Sequence, residues 1–150
     1  MTLTPQQLQG KRVYFDTNPL IYFVEGHDRF SDAVQPLFEW IDEGVFRACT
    51  SQLTLTELLI KPWRDNLPDV ISAYQGLLLD SGSFSVFGLN EATFLLAAKV
   101  GGTMGLRTPD ALHLTVALEQ RCNYFITNDK RIRSVPGLEV IQVSDWIATS

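Results

Sequence analysis

Cysteine is scarce in this 150-residue chain: Cys49 and Cys122 are too few for a disulfide scaffold or a cysteine-built zinc site. Both are expected to be buried thiols. Histidine is equally sparse, at two residues, which excludes a centre of clustered imidazoles. No stretch reaches the roughly 18 consecutive apolar residues that a bilayer span needs. The opening Met1–Gln7 has neither the cationic nor the apolar region of a secretory signal, so the expected compartment is the cytosol. Positive charge is also short, with 12 Lys and Arg against 17 Asp and Glu, a net charge of −5. That balance excludes a surface that clings everywhere to nucleic acid or anionic membrane, but not a local basic groove. Repeats, low-complexity tracts and linkers rich in Gly, Pro and Ser are missing. Residues 1–150 are therefore expected to form one domain, long enough to bury a core without staples.

What the chain does have is 45% apolar and 19% charged residues, the mixture of an ordinary globule, and an alternation of short β-prone runs with helical periodicity. Strands are expected at Arg12–Phe15, Val45–Cys49, Ser83–Phe87, Tyr124–Thr127 and Leu138–Ile141. Helices are expected after Asn18-Pro19, where Asn18 would cap; over Phe30–Glu43; after a Ser51 cap; over Pro68–Leu79, Asn90–Met104 and Thr108–Gln120; and at Ser144–Ala148. In the helix after Ser51, the spacing of Leu55, Leu58, Leu59 and Trp63 predicts a core face. Gly101, Gly102 and Gly105 read as a helix stop and a turn. Strands separated by helices imply βαβ units and an α/β fold with a mostly parallel central sheet covered by helices on both faces. In such folds, function gathers beyond the carboxyl ends of the strands.

Two acids fall at those ends, Asp16 after the first strand and Asp129 after the fourth. Asp110 opens a helix that is apolar almost all round, and Glu57 lies beside a core face. Each has an ordinary explanation. Asp16 fits a helix cap and Asp110 a first-turn acid facing the helix dipole; Asp129 fits a solvated turn, and Glu57 an i, i+4 partner of Lys61. Together they suggest more, because crowded carboxylates repel and raise one another's pKa unless a cation neutralises them. An oxygen-only set selects a hard ion such as Mg²⁺ or Mn²⁺, which suits phosphate-ester chemistry.

Four segments carry a resemblance. Val13-Tyr14-Phe15-Asp16-Thr17-Asn18 resembles the opening motif of the PIN-domain ribonucleases, and Thr54-Leu55-Thr56-Glu57-Leu58-Leu59 is similar to their second. Leu106-Arg107-Thr108-Pro109-Asp110-Ala111-Leu112-His113-Leu114 resembles the third, and Tyr124-Phe125-Ile126-Thr127-Asn128-Asp129 the fourth. They stand in the family's order and run nearly end to end. The resemblance implies a three-layer α/β/α sandwich and a Mg²⁺- or Mn²⁺-dependent endoribonuclease. Its metal-binding and catalytic acids would be Asp16, Glu57, Asp110 and Asp129. The family often continues after the fourth motif with an acid and an aromatic, which Lys130-Arg131-Ile132 lacks. Single-domain members of this length resemble VapC-type toxins, which implies an RNA substrate, a small antitoxin and a homodimer.

Around the acids, Asn18 and Thr127 are expected to support the site. Arg107, Lys130, Arg131 and Arg133 are the expected phosphate contacts, with Lys61 and Arg64 behind them. His113, three residues after Asp110, reads either as a proton shuttle or as a packed, hydrogen-bonded helix histidine. Trp63 and Tyr22 are possible stacking partners for an unpaired base, though Trp63 is expected in the core. Two other readings compete with the enzyme. One is a PIN-like module that binds RNA or protein without cutting. The other is a phospho-accepting receiver-like domain, which needs a paired acid beside the first strand where Asp16 stands alone.

Overall fold

The computed structural model describes residues 2–147. A capped turn, α1 (Pro5–Leu8), precedes β1 (Arg12–Phe15), α2 (Thr17–Glu25) and α3 (Ser31–Asp42). Then come β2 (Arg47–Ser51), α4 (Gln52–Arg64) and α5 (Pro68–Gln75), which runs into a π-helical turn at Gly76–Asp80. The chain closes with β3 (Phe84–Phe87), α6 (Glu91–Met104), α7 (Thr108–Glu119), β4 (Tyr124–Thr127), β5 (Glu139–Gln142) and α8 (Val143–Ile147). The expected helix at Ser144–Ala148 starts one residue earlier, and Ala148 lies outside the described residues.

The five strands form one sheet in the order β3-β2-β1-β4-β5, with every pairing parallel. β1 is central, and Val13, Tyr14 and Phe15 are all fully buried, as a strand covered on both faces requires. Their side chains alternate between two cores. Val13 and Phe15 join Val34, Leu37, Phe38 and Ile41 of α3 on one face; Tyr14 joins Leu114, Val116 and Ala117 of α7 and Phe125 on the other. Phe15 meets the rings of Phe84, Phe38 and Phe46 at centroid separations of 5.5, 5.6 and 6.2 Å. Each such pair adds about 0.5–1.5 kcal/mol to area burial. The result is the expected α/β/α sandwich.

The chain passes from β1 to β2 and β3 on one side, then returns to place β4 on the other side of β1. The boundary between β1 and β4 is thus the topological switch point, where open α/β sheets bind ligands.

Four local expectations are corrected. Trp63 is 65% exposed rather than in the core. The buried line of α4 is Thr54, Leu58 and Pro62, anchored where Thr50 and Thr54 share a hydrogen bond of 2.7 Å. That turns Ile60 and Trp63 outward, while Leu55 and Leu59 stay packed against the core as expected. Gly101 and Gly102 lie inside α6, and only Gly105, left-handed at φ 70°, ends it. Gly101 is kept small by a neighbour instead: a Cβ there would stand 3.2 Å from that of Ala111 in α7. Ser51 occupies the position before α4, but its hydroxyl accepts from the Tyr14 phenol at 3.0 Å and does not cap. The cap of α2 is Asp16, not Asn18.

Candidate metal centre

Asp16 leaves the carboxyl end of β1, where its backbone N–H still donates to Ile126 of β4 at 3.0 Å. One oxygen, Oδ1, accepts the Thr17 N–H at 2.8 Å and starts α2; the other, Oδ2, accepts the Thr127 hydroxyl at 2.7 Å. The capping reading of Asp16 therefore holds for one oxygen, while the other is tied to the neighbouring strand. Thr127, the last residue of β4 and fully buried, also accepts the Asp129 N–H on the same Oγ1 at 3.0 Å. A single hydroxyl thus ties the acids of two adjacent strands together. Asn18 takes no part in capping; its side-chain oxygen accepts the Asn128 N–H at 2.9 Å and pins the β4 loop to α2.

Glu57 reaches the same rim from α4. Its expected ion pair with Lys61 does not form among the described residues; its carboxylate instead hydrogen-bonds the Nε2 of His113. His113 is 1% exposed and also stands 3.7 Å from Asp16 through Nε2. Because Nε2 faces two carboxylates, it must carry a proton. Nδ1 lies 2.8 Å from the Tyr14 hydroxyl, which continues to Ser51. Burial alone would lower the His113 pKa. The Glu57 hydrogen bond and the charges of Asp16, Glu57 and Asp110 outweigh it and hold the imidazole above its ordinary value. The packed, hydrogen-bonded reading of His113 therefore describes its setting, and its contact with two of the acids went unread in the sequence. The available signal was its i+3 spacing from Asp110 on an apolar helix.

Asp110 sits in the first turn of α7, 8% exposed. Its Oδ2 is buried without a hydrogen-bond partner, and the guanidinium groups of Arg107 and Arg131 each stand 3.6 Å away. Burial first, then the charges of Asp129 and Asp16, push this carboxyl above its ordinary pKa despite the two arginines. Asp129 is held in the opposite direction. The Arg131 side chain donates to both of its oxygens, at 3.0 and 2.7 Å, and that fork keeps the carboxyl below its usual range.

The structure therefore brings Asp16, Glu57, Asp110, Asp129, Asn18 and Thr127 to one rim of the sheet. Of the expected phosphate contacts, Arg107 and Arg131 face the acids, and Lys130 pairs with Asp145 at 3.3 Å. Arg133 is exposed and has no ion pair among the described residues. A divalent cation fits the chemistry of this set: hard oxygens, charge in excess, and a buried carboxylate oxygen with no donor. In the arrangement seen, no three His, Cys, Asp or Glu side chains among the described residues converge to hold an ion. Glu57 is engaged by His113 and Asp129 by Arg131.

The sequence matches the family model described as PIN domain over residues 13–138. No curated protein matches it. Among solved structures, a toxin–antitoxin complex from Klebsiella pneumoniae superposes with a TM-score of 0.68 at 20% identity, covering 87% of this chain and 97% of that one. DNA-bound VapBC from Salmonella typhimurium gives a TM-score of 0.70 at 15% identity, covering 89% and 98%. VapBC2 from Rickettsia felis, bound to a promoter DNA fragment, gives 0.69 at 15%, covering 87% and 98%. At such identities the likeness shows the fold.

Proposed function

Since this chain belongs to the PIN-domain family, a family of nucleases, we propose that it is a Mg²⁺- or Mn²⁺-dependent endoribonuclease. We propose further that it is the toxin of a cytoplasmic toxin–antitoxin pair. The observation that carries the reading is the buried, donor-free Oδ2 of Asp110, with Asp16, Glu57 and Asp129 on the same rim. Those acids would hold the ion, which when bound supplies Lewis acidity toward a phosphoryl oxygen and offsets charge on the leaving oxygen.

The chain's own groups do the rest. Thr127 fixes the rotamer of Asp16, the Nε2–H of His113 orients Glu57, and Asn18 holds the loop that carries Asp129. Arg107, Lys130, Arg131 and Arg133 border this rim or its loop and would position phosphates without reading bases. The net charge of −5 makes RNA binding local and salt-sensitive.

Two exposed apolar faces support protein partners, a second copy of the chain and a small antitoxin. Ile60 and Trp63 of α4 are 59% and 65% exposed, and Phe94 and Leu95 of α6 are 52% and 66%. Toxin–antitoxin complexes among the structural neighbours favour the antitoxin.

A second reading has one observation in its favour. The engagement of Glu57 and Asp129 by His113 and Arg131 suits a PIN-like module that binds RNA or protein without cutting. Incubation with structured RNAs and Mn²⁺, with and without EDTA, separates the two. Products that appear only without chelator support the nuclease, and RNA retention without metal-dependent products supports the module.

A further inference from the structure

Arg131 follows Asp129 by two residues in the loop after β4. Its backbone N–H and Nε both donate to Asp129 Oδ1 at 3.0 Å, and Nη2 donates to Oδ2 at 2.7 Å. The same Nη2 stands 3.6 Å from Asp110 Oδ2, the buried oxygen that no donor satisfies. One guanidinium therefore spans two of the acids that would hold the ion, across the gap between the β4 loop and α7. Its side chain is 53% exposed, so it can swing into solvent without disturbing the core.

We infer that Arg131 is an exchangeable counter-cation of the acidic site, which holds Asp129 and Asp110 while no ion is bound and yields them to a divalent cation. The inference rests on the metal-dependent reading of the site. A carboxylate whose two oxygens face a guanidinium fork has little left to offer an ion, so the two cations compete for the same lone pairs. The divalent ion brings two charges where Arg131 brings one, and hard oxygens favour it. Once displaced, the guanidinium stays tethered two residues from Asp129, at the rim where a substrate phosphate would lie. This gives Arg131 two successive anionic partners, the acids and then the phosphate.

Occupancy by Arg131 lowers apparent metal affinity by the fraction of molecules whose acids are free. The test is Mn²⁺ binding to the purified protein, read from the electron paramagnetic resonance signal of free Mn²⁺, for wild type, R131Q, R131K and R133Q. R131Q is expected to bind Mn²⁺ about two- to fivefold more tightly, the range a half-exposed ion pair supports. R131K, which keeps the charge but not the fork, should fall between R131Q and wild type. R133Q removes the same charge from the same loop without touching an acid, and should change affinity by less than about twofold. Far-ultraviolet circular dichroism and urea melts check that each variant is folded.

Equal gains in R131Q and R133Q would assign the effect to net charge and overturn the inference. Weaker binding by R131Q would do the same, since Arg131 would then be positioning Asp129 for the ion. Saturable binding with no gain in R131Q sinks the exchange alone. No saturable binding in any variant sinks the metal-dependent reading and the exchange with it.

Discussion

Replacing Thr127 by valine keeps the shape of a fully buried strand-end side chain and removes its hydroxyl. Two interactions go with it: the 2.7 Å bond donated to Asp16 Oδ2 and the 3.0 Å bond accepted from the Asp129 N–H. A hydrogen bond to a charged group is worth about 1.5–3 kcal/mol, and a neutral one about 1 kcal/mol. Asp16 keeps its bond from the Thr17 N–H, and valine regains a few tenths of a kcal/mol as a better strand residue. The net loss is expected to be about 2–3.5 kcal/mol. For a chain of this length that is a fall of roughly 4–14 °C in Tm, or about 1–2 M in the urea midpoint with little change in slope. Equilibrium urea unfolding of wild type, T127V and T127S, followed by circular dichroism in EDTA, measures it without metal. T127S keeps the hydroxyl and should lose less than half as much. The reasoning is refuted if T127V unfolds within about 0.5 kcal/mol of wild type, or if T127S falls as far as T127V, which would assign the loss to the methyl group.

Other perturbations act on the same rim. Asp110→Asn removes a charge from a buried oxygen that has no donor, so the metal-free protein should gain about 1 kcal/mol of stability. The same variant should lose the rise in Tm that Mn²⁺ gives wild type; paired thermal melts with and without Mn²⁺ check both effects. The raised pKa of His113 fixes the sign of a pH dependence. Its contribution is complete below its unfolded value of about 6.5 and is lost as pH rises through the folded one. The stability gap between wild type and H113Q in EDTA should therefore be wider near pH 6 than near pH 9, as urea melts at both would show. Leu95→Glu should shift the protein toward a smaller species in sedimentation velocity if α6 mediates self-association, and an unchanged sedimentation coefficient would remove that face from the interface.

Much of this arrangement is legible in the sequence because it is written in local chemistry. Val13-Tyr14-Phe15 is apolar at every position, which only a strand covered on both faces tolerates, and Asp16 directly after it marks the rim. Thr108-Pro109-Asp110 opens a helix whose interior is buried almost throughout, so its first turn had to be fixed in space. What escaped is decided by contacts across the fold. Trp63, the last position of the α4 stripe, points outward because Thr54 found Thr50 on β2, a pairing 4 residues apart whose outcome depends on how the helix leaves the strand. Strand β2 lies two residues later than its apolar run suggests because its register is set by Arg12 facing Arg47 and Ser51 facing Phe87. The short helix α1 carried a readable signal, Thr4 three residues before Gln7, and both halves of that capping box form. The acids themselves were identifiable, but their partners were not. His113 reaches Glu57 across 56 residues and Arg131 reaches Asp110 across 21, and single-sequence spacing does not report such pairs.

The most direct test of the central claim, that these acids hold an ion which cuts RNA, is cleavage of a single-stranded RNA in Mn²⁺ by wild type, D16N and D110N. Each protein should first be shown folded by its urea melt. The account predicts metal-dependent cleavage by wild type, abolished by EDTA, and loss of cleavage in both variants while they remain folded. Cleavage by folded D16N and D110N at the wild-type rate would contradict it.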